Sequence, residues 1–260
     1  FLIGMLSAPF AQGAEPEAIA PTEVISLFNG KDLTGFYPYV AETGGKDTTP
    51  VFRVQEGMIR AAGKPHGYLA TERAYRDYRL VVEYRWGARP EGEKYVRNSG
   101  VLLHGTGPDG ANKGGWMTSI ECQLAQGCTG DLIVIRGKDA DGKEFPATIT
   151  CDTVLGPDRK TRWKKGGERT VYSGKQFWWS DHDADFKELI DTQGKHDVES
   201  PLGEWTRLEC ICQGDRITIV VNGKTVNECY DARPASGKIL LQSEGAEVLF
   251  RKVELHPLEK

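Results

Sequence analysis

The chain lacks a concentrated positive surface. Its 33 Lys and Arg are outnumbered by 37 Asp and Glu over 260 residues, and no long basic run occurs. Phosphate backbones are held by clustered cations, so no nucleic-acid partner is expected. No later stretch approaches the roughly 20 apolar residues of a membrane helix, so no transmembrane segment is expected either. The six cysteines, at 122, 128, 151, 210, 212 and 229, include no C-x-x-C pair. Neither a zinc knuckle nor a dithiol redox motif is therefore suggested. Helical periodicity is equally scarce, and its best candidate is one turn at 186–190.

What the sequence does have is strand signal. Short β-branched runs at 78–85, 100–104, 119–124, 131–135, 207–212, 216–221, 238–242 and 247–255 are separated by Gly, Asn and Asp turns. Asn222-Gly223 between two such runs predicts a type I′ hairpin. Many strands and few helices predict an all-β sandwich. Residues 1–14 read as the remnant of an export signal, a short apolar run closed by small residues, which predicts a secreted or periplasmic protein. Residues 15–22 read as a linker and 23–260 as one domain. In an exported chain the cysteines allow disulfides, although Cys210 and Cys212, two apart on one strand face, are poorly placed to pair with each other. Buried free thiols are the alternative. From about 137 to 203 the pattern dissolves, which predicts a long loop insertion whose Trp178 and Trp179 favour order.

The chemistry-bearing residues concentrate on two strands. Period-two alternation places Asn98, Gly100, Leu102 and His104, which follow Arg97, on one face, and Glu121 with Gln123 on one face of a later strand. Gln242 and Glu244 share a face near the C-terminus by the same rule. Amides and carboxylates, with Arg97 beside them and Trp116, Trp178 and Trp179 as a rim, suit a sugar, whose hydroxyls take hydrogen bonds while its C–H faces stack on rings. A plain half-wet strand would carry the same pattern. Asp181, His182, Asp183 and Asp185 form an acidic stretch that a metal or only solvent could face. His196, Asp197 and Ser200 match a triad by composition alone, with no nucleophile elbow.

On these residues the chain resembles the 3-keto-disaccharide hydrolase domain family, which has the concanavalin A-like jelly-roll fold. The matching pieces are LFNGKDL at 27–33, YLATE at 68–72, YRDYRL at 75–80, NSGV at 98–101 and IECQ at 120–123. GEW at 203–205, VNG at 221–223, GKILLQ at 237–242 and Phe250-Arg251 complete them in order. The acidic residue usual after E-x-Q is replaced here by Leu124-Ala-Gln126, and Thr206 stands where Asn is usual. The resemblance implies cleavage of glycosides already oxidised at C3, by proton abstraction at C2, loss of the C1 substituent and hydration. It also implies an upstream sugar 3-oxidoreductase. In that scheme Glu121 is the base and His104 the proton donor. Asn98, Gln123 and Gln242 bind hydroxyl or enolate oxygens, and a divalent metal could stabilise the enolate. A non-catalytic carbohydrate-binding module and a conventional glycan hydrolase are the alternatives.

Overall fold

Alternating burial along short segments builds strands almost throughout the computed structural model, which describes residues 17–259 apart from Glu93 and Gly114. The apolar run at 1–14 lies outside the described residues. In chain order the strands begin with β1 (Ile25–Ser26), β2 (Phe36–Val40), β3 (Phe52–Gln55), β4 (Met58–Ala61), β5 (Gly67–Thr71) and β6 (Tyr78–Trp86). There follow β7 (Asn98–Thr106), β8 (Thr118–Ala125), β9 (Leu132–Ile135), β10 (Thr148–Leu155), β11 (Thr161–Trp163) and β12 (Glu168–Tyr172). The last are β13 (Gln176–Phe177), β14 (Thr206–Gln213), β15 (Arg216–Val221), β16 (Lys224–Arg233), β17 (Lys238–Ser243) and β18 (Val248–Pro257).

Two antiparallel sheets result. One has 11 strands, with β11-β10-β16-β15-β14-β6-β18-β4-β3 as its main path; the other runs β13-β9-β8-β7-β17-β5-β2. Their inner faces meet in one core, where Val101, Leu103, Ile120, Cys122 and Val134 pack with Leu80, Val82, Leu208, Ile217 and Ile219 from the larger sheet. Each such side chain contributes about 1.5–3 kcal/mol on burial, so strand parity decides which residues are left to face outward. This is the expected jelly-roll sandwich. Asn222 and Gly223 take φ of 48° and 83° between β15 and β16, the two left-handed positions a type I′ turn needs.

The insertion expected at 137–203 is only partly a loop. Four strands lie inside it: β10, β11 and β12 extend the larger sheet, and β13 adds an edge to the smaller. β10 escapes a hydrophobicity reading because Thr148, Thr150, Asp152 and Thr153 interrupt its apolar residues, although Ile149 and Cys151 are fully buried. No helix forms at 186–190. The rest of the segment is pinned by Glu199, whose buried carboxylate accepts from Tyr84 Oη at 2.7 Å and Trp86 Nε1 at 2.8 Å. All six cysteines are buried and free.

Candidate active site on the outer face of the smaller sheet

The side chains of β7, β8 and β17 that do not enter the core form the floor of a cleft. Strand register aligns them: Leu102 pairs with Glu121, Gly100 with Gln123, and Leu241 with Val101. Gln242 and Glu121 therefore flank Gly100, where a side chain would otherwise stand. A Cβ built there would fall 2.3 Å from Gln242 Oε1 and 2.6 Å from Glu121 Oε1. Glycine lets the two oxygens converge over the strand.

Next to this polar half lies an apolar one, in which Tyr68, Ala70, Leu102, Trp116, Met117 and Leu240 cluster. Trp116 tilts against Tyr68 at 6.3 Å between ring centroids, and the Tyr68 hydroxyl donates to Asp109 Oδ1 at 2.6 Å. That bond ties the loop carrying Trp116 down onto the sheet. The cleft, of about 330 Å³, is lined by Asn98, Trp116, Glu121, Gln123, Ile133 and Glu244, among others. Asn98 and Glu244 also line an adjoining lobe of about 280 Å³ that includes His66 and Tyr95.

Unmet hydrogen-bonding capacity is concentrated on this face. Asn98 Oδ1, Glu121 Oε1, Gln123 Oε1 and both polar atoms of Gln242 are buried without a partner. One such atom costs about 1–3 kcal/mol and is rare in a native protein, so several in one cleft mark a place where a polar ligand supplies the missing bonds. Burial, and secondly the nearby Glu244 carboxylate, push the Glu121 carboxyl well above the usual range. Burial raises Glu244 as well. A larger hollow of about 460 Å³ lies elsewhere, against Phe145 and Pro234. Among the described residues, none lining it has a buried polar side-chain atom lacking a partner.

Four expected site residues stand differently. His104 does not join Glu121. The register of β7 shifts on both sides beyond Leu103, and His104 takes a left-handed φ of 58°. This bulge turns its ring inward, 5.8 Å from Tyr78, with Nδ1 3.0 Å from the Pro234 carbonyl oxygen. Burial holds its pKa down to about 4, so it is a neutral core imidazole. Arg97 is a buried clamp, donating from Nε to Asp191 at 2.8 Å and from one terminal nitrogen to the Gly87 and Ala88 carbonyls. Trp179 lies in the core, 1% exposed. Trp178 faces outward but packs on the cluster of Val96, Ala125 and Cys128 under Lys160, outside the cleft lining. The triad candidates are also dispersed: Ser200 Oγ donates to the Trp205 carbonyl, and Asp197 accepts from the Gly127 N–H. The acidic stretch is spent on Lys224 and Lys195. Among the described residues no three His, Cys, Asp or Glu side chains gather as a metal site.

Residues 23–256 match the model of the 3-keto-alpha-glucoside-1,2-lyase-like domain. The chain belongs to that family. Membership places it among glycoside-acting, carbohydrate-active domains. No curated protein matches the chain. A protein of Parabacteroides distasonis ATCC 8503 assigned as a glycosyl hydrolase superposes with a TM-score of 0.54 at 20% identity, covering 91% of this chain and 94% of its own. A second structure so assigned, from the same organism, gives 0.52 at 18%, covering 91% and 100%. At these identities the likeness is one of fold.

In this 3-keto-alpha-glucoside-1,2-lyase-like domain a further carboxyl lies beside the floor, one the sequence pattern did not single out. The Gln123 N–H donates to the Asp131 carbonyl at 2.9 Å. The Asp131 carboxylate accepts from Gln176 Nε2 at 2.9 Å and the Trp179 N–H at 2.8 Å. Burial pushes it up to about 8, and burial likewise holds Glu199 at about 7. Unfolded carboxyls release their protons near pH 4. The folded state thus binds more protons over that interval, and the stability this gives, complete below the unfolded values, is lost as pH climbs to the folded ones. His104 acts oppositely, but only below its ordinary value of 6.5. The melting temperature is therefore expected to fall between about pH 6.5 and 8, each group contributing up to about 1.4 kcal/mol per pH unit. Asp131→Asn should flatten the fall. A melting temperature that rises across this window, or an unchanged slope in the variant, would contradict the assignment.

Proposed function

We propose that the protein cleaves glycosides whose sugar carries a ketone at C3, by elimination followed by hydration. The observation that carries this reading is one buried carboxyl, Glu121, among carboxamides of Asn98, Gln123 and Gln242 whose buried oxygens have no hydrogen-bond partner. The C3 ketone acidifies the C2 proton, and a carboxylate whose pKa is raised by burial is a stronger base for removing it once ionised. Asn98, Gln123 and Gln242 can direct amide groups at the ring hydroxyls and the enolate oxygen. Trp116, backed by the buried Tyr68, supplies an aromatic wall at the apolar end. A sugar 3-oxidoreductase would supply such a substrate.

Glu244 beside Glu121 is what favours a second reading, a two-carboxylate glycosidase acting on unoxidised sugar. Incubation with a plain disaccharide and with its 3-keto form separates the two. Cleavage of the keto form alone is expected. Cleavage of the plain sugar at a comparable rate supports the second reading, and binding without turnover of either makes the cleft a carbohydrate-binding module. Export to the periplasm or beyond is part of the proposal. It rests on the N-terminal apolar run, since the buried thiols are free.

A further inference from the structure

With His104 in the core, the elimination has a base but no assigned acid. Besides Glu244, whose carboxyl neighbours the Glu121 base, the second lobe offers three further groups that carry protons: Lys64, His66 and Tyr95. It adjoins the Glu121 lobe, and Asn98 and Glu244 line both. His66 precedes Tyr68 by two residues, so strand parity puts both on the outer face. His66 and Glu244 each lie one residue beyond Ser243–Gly67, the last pair of the β17–β5 ladder, and both line the second lobe. His66 is exposed, unlike the floor residues.

The three donors are not equivalent. Burial, and after it the Glu188 carboxylate, hold the Tyr95 phenol up at about 12, too weak an acid to protonate a departing sugar oxygen near neutrality. An imidazole both gives and recovers a proton in the neutral range.

We propose that this second lobe holds the departing sugar and that His66 protonates its oxygen. The inference rests on the elimination reading above. Glu121 takes the C2 proton, and the electrons of that C–H bond form the C1–C2 double bond. The C1–O bond breaks, its electron pair stays on the departing oxygen, and the His66 imidazolium supplies the proton. Water then adds across the double bond, hydroxyl to C1 and hydrogen to C2, so the sequence is redox-neutral. Solvent restores the proton balance of the two residues. Tyr95, 48% exposed at the lobe's edge, offers a ring face to the leaving sugar.

The decisive experiment compares two leaving groups. His66→Asn should lower turnover of a 3-keto disaccharide by about 10²–10⁴-fold. On 3-keto 4-nitrophenyl glucoside its loss should be far smaller, because nitrophenolate departs without a proton. His66→Gln should repeat the pattern, and melting curves of both variants check that the fold is kept. Equal losses on the two substrates, or undiminished turnover of the disaccharide, would overturn the proposal. Glu121→Gln, measured in parallel, must lower both substrates alike. If it does not, the elimination reading itself fails, and an outcome confined to His66 leaves that reading standing.

Discussion

Glu121→Gln is expected to cut turnover of a 3-keto glycoside by about 10²–10⁴-fold, the range that removal of a positioned general base commonly gives. The side chain is 4% exposed and Oε1 has no partner, so the amide occupies the same space without breaking an existing bond at that oxygen. The fold should be unharmed. Because burial raises the carboxyl well above its usual range, ionising it costs stability, and the glutamine variant should melt no lower than the parent above neutrality. The same shift fixes the pH profile. Glu121 acts only when ionised, so kcat/KM should rise with pH through its elevated pKa, and this limb should be missing from the variant's residual activity. Full turnover in Glu121→Gln, with a steady-state assay on the keto substrate as readout, would remove Glu121 from the mechanism.

Gly100→Ala should disable the site while leaving the sandwich folded. The added methyl would lie 2.3 Å from Gln242 Oε1 and 2.6 Å from Glu121 Oε1, closer than real contacts permit. Both obstructing atoms are side-chain termini rather than backbone, so they can move aside. What they cannot do is move aside and still meet above the strand. A displacement of about 1 Å in a reacting group costs about 10²-fold, and here two groups move together. The expected result is a loss of at least that size in kcat, with near-parental melting behaviour. A variant that keeps its turnover would show that the convergence over Gly100 has no catalytic use, and one that fails to fold would show that the strand cannot open locally.

Strand parity explains both the reach of sequence reading and its failures. Asn98, Glu121, Gln123, Gln242 and Glu244 could be assigned to one face because their strands are regular through those positions, and a period of two is then geometry. His104 breaks the rule. It lies at the bulge, and no local residue type announces that β7 changes register between β8 and β17. Arg97 and Trp179 lie apart from the cleft for a different reason: a buried cation or indole has the same residue type whether it meets a ligand or a group of its own chain. Asp131 and His66 went unread because their significance lies in neighbours, Gln123 and Glu244, that are distant in sequence or on another strand.

By itself, the sequence determined an all-β sandwich, its principal strands, the hairpin at Asn222-Gly223 and the polar set centred on Glu121. Each follows from local periodicity or from a turn residue's backbone freedom. Only the tertiary structure decided that Glu121 and Gln242 meet over Gly100, that His104 turns inward, and that a second lobe with His66 adjoins the first. Those outcomes depend on strand order and register, which are set by packing between segments far apart in the chain.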